Sequence, residues 1–332
     1  MTPPRFWSTA PDAPSWQARA LTPLARLYAH GTARRVAQQG YKASVPVICI
    51  GNINAGGTGK TPTVIAMVQK LQSMGKTVHV VSRGYGGKLA GPVRVVERTH
   101  TADDVGDEPL LISAFAPAWV SKDRALGVKA AEADGADVIL LDDGMQNASV
   151  VKDATFVIVD AHRGFGNGRV MPSGPLREPV DVGLARGDLI ISIGNEAAQN
   201  SFQTTWGAHI SLPHVKAHLA PLETGMDWAG LPALAFAGIG HPEKFFATLE
   251  NMGAVLIRKE ALRDHQPLPL ALMKRLEIEA ATLGAQLVTT EKDAVRLPRA
   301  FQMKVLTLPV RLSIENEDPI TAALAKIGIH ST

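Results

Sequence analysis

The sequence predicts an α/β protein with a mostly parallel sheet flanked by helices, and a smaller second α/β domain joined to it by a two-stranded linker. Three observations carry this. An apolar, β-branched run (Val45, Val47, Ile48, Ile50) breaks at Gly51 into a glycine-rich loop and then a helix. A second apolar run, Val138 to Leu141, ends in two aspartates, Asp142 and Asp143. After about residue 230 the strand–helix alternation starts again, and 332 residues exceed what one core usually organises. The first loop reads "GNINAGGTGKTPT". Strand, glycine loop, Lys60-Thr61 and a helix opening at Pro62 make a phosphate-binding loop, so the first domain is of P-loop NTPase type. Asn54, Ala55, Gly56, Gly57, Thr58 and Gly59 would present backbone N–H groups to phosphate oxygens, at the positive end of the helix. Lys60 would neutralise the β- and γ-phosphates, and the Thr61 hydroxyl would ligate their Mg²⁺. The strict pattern places glycine where this chain has Asn54. A glycine turn with an incidental lysine is the bland alternative, and the strand and helix on either side argue against it.

Composition sets outer bounds. The single cysteine, Cys49, lies inside the first strand, excludes an intrachain disulfide and suits a reducing compartment. No apolar run approaches the length of a membrane span, and the N-terminus lacks the layout of a signal peptide. A net charge of +3 without an aromatic-interleaved basic platform gives no case for nucleic acid.

Residues 1–42 form a basic prelude, with Arg5, Arg19, Arg26, Arg34, Arg35 and Lys42 set against Asp12. A short helix is expected around Ser15–Leu21, and a longer one from Thr22 as N-cap to Gln39. Their apolar side chains, Trp16, Leu21, Leu24, Leu27 and Tyr28, either pack on the first domain or lie in a membrane interface. The P-loop domain spans 43–205. Its second strand, Thr77–Val81, ends in "SRGYGG", which puts Arg83 on the ligand side of a parallel sheet, as an anion contact or a simple turn residue. A hairpin strand at Val93–Val96 leads to Asp103, Asp104, Asp107 and Glu108, which either cap a helix or supply a base or magnesium contact. A short strand (Ala118–Val120), Arg124 and an alanine-rich helix come next, then the strand ending in Asp142-Asp143. An aspartate at such a tip holds Mg²⁺ beside a P-loop. Thr155–Val159 is followed by a long glycine- and proline-rich loop bearing Arg163, Arg169, Arg177 and Glu178, too irregular to be mere connection. Alternation over 206–225 predicts the two-stranded linker, and 226–332 the smaller domain. There, His265 beside Asp264 is either a solvated loop histidine or, if a cleft closes, a group that tunes a catalytic carboxylate.

Taken together, "GNINAGGTGKTP", "SRGYGG", "GDEP", "DDGMQ", "FGNGRVMPSGPLREP", "FAGIGHPEKFF", "DHQ" and "TTEKDA" resemble, in order and spacing over residues 45–295, the tetraacyldisaccharide 4'-kinase family. That family's own loop also carries Asn at the position of Asn54. The resemblance implies a monotopic enzyme on the cytoplasmic face of the bacterial inner membrane, and a monomer is expected. It would pass the γ-phosphate of ATP to the 4'-hydroxyl of an acylated disaccharide 1-phosphate. It implies Asp107 as the base, His265 as its partner, Lys60 and Thr61 on the phosphates and Mg²⁺, and Asp142, Asp143 and Glu108 around the metal. Arg83, Arg124, Gln146, Asn147 and Glu178 fall where the family contacts its substrate, although Asn147 stands where the family commonly has His.

Two rivals remain on sequence grounds. A GTPase or metallochaperone-type switch shares the loop, but Lys292 and Asp293 are adjacent rather than spaced for guanine, and no His/Cys cluster for a metal cargo is visible. A non-enzymatic, ATP-gated membrane scaffold is the other.

Overall fold

The computed structural model describes residues 3–330. The strands of the first body are β1 (Val47–Gly51), β2 (Val78–Ser82), β3 (Val93–Arg94), β4 (Ala118–Val120), β5 (Val138–Asp142), β6 (Ala154–Asp160), β7 (Leu189–Ile193) and β8 (His214–Pro221). Those of the second are β9 (Pro232–Ala237), β10 (Val255–Ala261), β11 (Gln286–Thr290) and β12 (Leu306–Leu308), after which β13 (Val310–Ile314) follows. The helices are α1 (Trp16–Ala20), α2 (Thr22–Val36), α3 (Lys60–Ser73), α4 (Ala102–Val105), α5 (Asp107–Ile112), α6 (Arg124–Ala133), α7 (Val180–Leu184) and α8 (Glu196–Trp206). Then come α9 (Pro242–Asn251), α10 (Leu270–Thr282), α11 (Glu291–Ala294), α12 (Arg299–Gln302) and α13 (Asp318–Lys326).

The large sheet runs β13-β8-β7-β6-β1-β5-β2-β4-β3, and a second sheet runs β10-β9-β11-β12. Every pairing is parallel except those of the two edge strands, β3 on β4 and β13 on β8. Strand β1 is central, between β6 and β5, and it is buried along its whole length because both faces are covered. Alternation sends Ile48 and Ile50 to one face, against Val64, Met67, Val68 and Leu71 of α3. Val47 and Cys49 go to the other, with Val128 and Ala131 of α6. Each fully buried aliphatic here contributes about 1.5–3 kcal/mol, which fixes the loop between β1 and α3 at the carboxyl ends of the strands, where parallel sheets bind ligands.

The chain departs from expectation in three places. Residues 206–225 hold one strand, β8, instead of two, because α8 continues through Trp206 and the alternation at 208–212 is not strand. The partner of β8 is β13, from far along the chain, paired from Val310↔Pro221 to Ile314↔Ala217. Residues 310–329 therefore return to the first body, where Ile320, Leu324 and Ile329 of the C-terminal segment are buried against its core. Thr22 is no N-cap either: it lies inside α2, donating its hydroxyl to the Ala18 carbonyl at 3.1 Å, while Ser15 caps α1. Among the described residues no helix is long and apolar enough to cross a membrane.

Candidate active site

The loop between β1 and α3 is shaped by glycines at positive φ, Gly56 (+108°) and Gly59 (+92°), conformations that glycine adopts without a Cβ penalty. A Cβ at Gly59 would also come within 2.6 Å of Ile193 at the end of β7. Asn54 does not weaken the loop. Its side chain is buried and donates to the Gly164 carbonyl at 3.0 Å, while the Ala55 amide donates to Pro175 at 2.7 Å. The long loop after β6 is thus a splint for the phosphate loop. Thr58 is held as well, taking a hydrogen bond from Asn52 at 3.0 Å.

Lys60 opens α3, and its ammonium lies 3.6 Å from Asp143. Asp143 also receives Arg177 on both carboxylate oxygens, at 2.9 and 3.3 Å, the fork geometry that suits a carboxylate. Burial alone would raise the Asp143 carboxyl, but Lys60, Arg177 and Arg124 outweigh it and hold it below its usual range. Asp142 is the opposite case. Burial, with Glu108 and Asp143 nearby, pushes it up to about 7. Its Oδ2 accepts from Ser82 at 3.1 Å, while its buried Oδ1 has no hydrogen-bond partner. A buried, unsatisfied carboxylate oxygen costs free energy that a cation or its water can remove. Arg124, expected at the substrate, is buried and donates to the Asp142 and Asp143 carbonyls at 3.1 and 2.7 Å, bracing the turn on which Asp143 adopts φ +52°.

Gln146 and Glu178 are joined at 2.8 Å, and Gln146 also accepts from Arg177 at 3.0 Å. Glu178 is buried and paired with Arg186. Asn147 uses its side-chain oxygen locally, accepting from the Ser149 amide at 3.0 Å, and so caps the turn after the aspartate pair. Arg83 stands exposed on the loop after β2, close enough to Arg124 to lower its pKa, a shift dominated by burial.

Asp107 opens α5 after the left-handed Gly106 (φ +89°) and is buried. His265, on the turn after β10, brings Nδ1 to 2.8 Å from Asp107 Oδ2 across the two bodies. Lys292 lies 3.0 Å from Glu108 and 3.3 Å from His265 Nε2, and Arg296 Nε is 3.8 Å from Asp107 Oδ2. Burial works to raise Asp107, but the His265 hydrogen bond and the charges of Lys292, His265 and Arg296 bring it below its usual range. That hydrogen bond raises His265, against burial and Lys292. Lys292 and Asp293, the residues that a guanine-binding reading would need, are both engaged elsewhere: Lys292 on Glu108, and Asp293 on the Gly238 amide and Arg296.

Three participants were not picked out from sequence. Arg177 could not be separated from Arg163 and Arg169 on the same loop. Lys292 and Arg296 form an i, i+4 pair of cations just past the end of β11, on the ligand side of a parallel sheet, and that placement was the available signal.

This arrangement joins a phosphate loop and a carboxylate of the first body to a histidine of the second. The family model for tetraacyldisaccharide-1-P 4'-kinase matches residues 17–328. The chain belongs to that family. It is 59% identical to the tetraacyldisaccharide 4'-kinase of Dinoroseobacter shibae over 100% of this chain and 99% of that protein. To the tetraacyldisaccharide 4'-kinase of a Jannaschia species it is 57% identical, over 98% of this chain and 99% of that one. Its fold is similar to a crystal structure of LpxK from Aquifex aeolicus in complex with ATP (TM-score 0.75, 23% identity, 94% of this chain and 99% of that one). Membership of the 4'-kinase family agrees with the two-body architecture, in which each sheet contributes residues to one cleft.

Proposed function

We propose that this protein transfers the γ-phosphate of ATP to the 4'-hydroxyl of a tetraacylated glucosamine disaccharide 1-phosphate, forming lipid IVA for lipid A. The observation that carries this reading is the Asp107–His265 pair, 2.8 Å apart, which ties the body bearing the phosphate loop to the second body. A sugar alcohol is a weak nucleophile, so transfer to it needs neutralised phosphates and a positioned base. The amides of 56–59 and the Lys60 ammonium would hold the β- and γ-phosphates; the Ala55 amide, expected among them, is taken up by the Pro175 carbonyl instead. Asp107 orients the 4'-hydroxyl and accepts its proton as the sugar oxygen bonds to the γ-phosphorus and the bond to the bridging oxygen breaks, leaving ADP. His265 fixes the Asp107 carboxylate and takes up part of the charge change.

Thr61, Asp142, Asp143 and Glu108 would hold Mg²⁺, and the bare Oδ1 of Asp142 fits that assignment. Among the described residues no three His, Cys, Asp or Glu side chains form a closed metal cage. That suits magnesium, which usually takes one or two carboxylates and completes its shell with phosphates and water. When bound, the ion supplies charge neutralisation to the phosphates. Arg177 and Arg124 would keep the aspartate pair in register for it, and exposed Arg83 would meet the acceptor, with Gln146, Asn147 and Glu178 shaping the turns behind it.

The acceptor is a membrane lipid, and the N-terminal helices suit its surface. Trp16 and Leu27 are 74% and 70% exposed, and Leu24 and Tyr28 share the Leu27 face of α2, while small residues, Ala18 and Ala25, are what pack inward. With Arg19, Arg26, Arg34 and Arg35 alongside, the segment would rest on the anionic cytoplasmic leaflet, each basic residue near the surface adding about 1 kcal/mol. One chain carries every group named, so a monomer would suffice for the reaction. The test is transfer of labelled phosphate from Mg-ATP to the tetraacyldisaccharide 1-phosphate in mixed micelles. Transfer by wild type that collapses in Asp107→Ala and Lys60→Ala supports the reading, and none in wild type with ATP binding intact overturns it.

A further inference from the structure

His265 sits at φ +56°, and with Asp143 it is one of two non-glycine residues at positive φ among the described residues. A side chain in the left-handed region persists only where its surroundings over-determine it. The turn closes on itself through the Gln266 amide and the Arg263 carbonyl, at 2.9 Å, and one arginine ties it to the body of the sheet. The His265 amide donates to the Gly238 carbonyl at 3.0 Å. Arg296 Nη2 donates to that same carbonyl at 3.1 Å, and its Nη1 donates to the Gln266 carbonyl at 2.9 Å. The guanidinium therefore grips the backbone on both sides of His265. It is itself anchored by buried Asp293, which pairs with Arg296 and accepts from the Gly238 amide at 3.1 and 3.0 Å and from the Thr290 hydroxyl at 2.7 Å. The close fit extends to Gly238, where a Cβ would meet Arg263 O, Arg296 Nη2 and Asp293 Oδ1, each at 3.1 Å.

The Nε donor of Arg296 lies toward the chemistry. Nε is buried without a hydrogen-bond partner, 3.8 Å from Asp107 Oδ2, the oxygen that His265 contacts. Desolvating a guanidinium N–H is costly unless it faces a negative group. We propose that Arg296, anchored by Asp293, is a positioning residue for phosphoryl transfer: it locks the strained His265 turn and faces Asp107, so that base and histidine meet in one geometry only when the two bodies are apposed. The inference rests on the reading of Asp107 as the base.

A double-mutant cycle on the full-length enzyme tests it, with labelled-phosphate transfer to the tetraacyldisaccharide 1-phosphate as the assay. Arg296→Met is expected to lower kcat by about tenfold or more, with the KM for ATP changed less than about twofold, because the nucleotide loop is untouched. In a His265→Ala background the same substitution should cost less than about twofold, because its effect runs through His265. Losses that multiply in the double variant, or an Arg296→Met enzyme as fast as wild type, overturn the inference. Should Arg296→Met melt below the assay temperature, Arg296→Lys takes its place. It keeps the charge but cannot reach both carbonyls with one rigid fork. It is expected to lose several-fold in kcat in the wild-type background and almost nothing in His265→Ala, and equal losses in both backgrounds overturn the inference. Asp107→Asn separates the two readings. An active Asp107→Asn enzyme removes the base assignment itself, whereas an inactive one beside a fully active Arg296→Met enzyme removes the Arg296 inference alone.

Discussion

His265 Nδ1 and Asp107 Oδ2 stand 2.8 Å apart although the residues are separated by 158 positions and belong to bodies built on different sheets. The pair exists only because the second body meets the first, so the proposed base and its partner are brought together by tertiary structure. Asp107→Asn keeps the shape and removes the proton acceptor. It should lower kcat by about 10²–10⁴-fold, the usual worth of a general base, with ATP affinity preserved. Single-turnover transfer beside equilibrium ATP binding checks both halves.

The same contact makes stability pH-dependent. The Asp107 hydrogen bond raises His265 above its ordinary 6.5, so its contribution is complete below that value and is lost as pH rises through the raised one. Asp107 lies below its ordinary 3.8, so its contribution is present above that value and is lost as pH falls through the lowered one. The window of greatest stabilisation runs from about pH 4 to about pH 6.5. The Tm difference between wild type and His265→Asn should be largest near pH 6 and shrink towards about pH 8. A difference that grows with pH would reverse the assigned direction.

Asn54 gives a prediction about the phosphate loop. Its amide ties the loop to Gly164 at 3.0 Å from a buried position. Asn54→Ala leaves the Gly164 carbonyl without this donor, at a cost of about 1–3 kcal/mol. The loop also loses its splint, so the KM for ATP should rise more than kcat falls. Asn54→Gly restores the strict loop pattern and is expected to behave no better, because the lost contact is the same. A thermal melt with ATP titration distinguishes this from a purely local effect.

The sequence made the first body legible because its signals are local. A β-branched strand, a glycine loop and Lys60-Thr61 are contiguous, and Val138 to Asp142 is a strand whose tip is an aspartate. Asp107 and His265 were candidates from their places in the chain, but their pairing came through the resemblance, since nothing local to either residue announces the other. What stayed hidden depends on long-range pairing. The alternation near 208–219 looked like a hairpin, but a strand cannot show in sequence that its partner lies at 310–314. Likewise Arg124 reads as a free cation at a helix start, and only folding reveals that it turns onto the carbonyls of Asp142 and Asp143. The large apolar residues of α2 looked equally suited to core or membrane, and in the fold Ala25 takes the buried face while Leu24, Leu27 and Tyr28 stay exposed.

That last point yields a membrane prediction. The exposed surface of α1 and α2 carries Trp16, Leu24 and Leu27 beside four arginines, Arg19, Arg26, Arg34 and Arg35. Trp16→Ala with Leu27→Ala removes apolar area that reaches solvent in the folded protein, so stability should change by less than about 0.5 kcal/mol. Affinity for vesicles containing anionic lipid should nonetheless fall, by about thirtyfold if each of the two side chains contributes close to 1 kcal/mol of interfacial burial. Raising salt should weaken the wild type and the double variant by similar factors, because the arginines remain in both. Transfer to a water-dispersed, short-chain acceptor should be unaffected, and transfer to acceptor embedded in vesicles should fall with binding. Sedimentation with vesicles and the paired assays settle it: an unchanged vesicle affinity would mean that the exposed face of α2 meets something other than lipid.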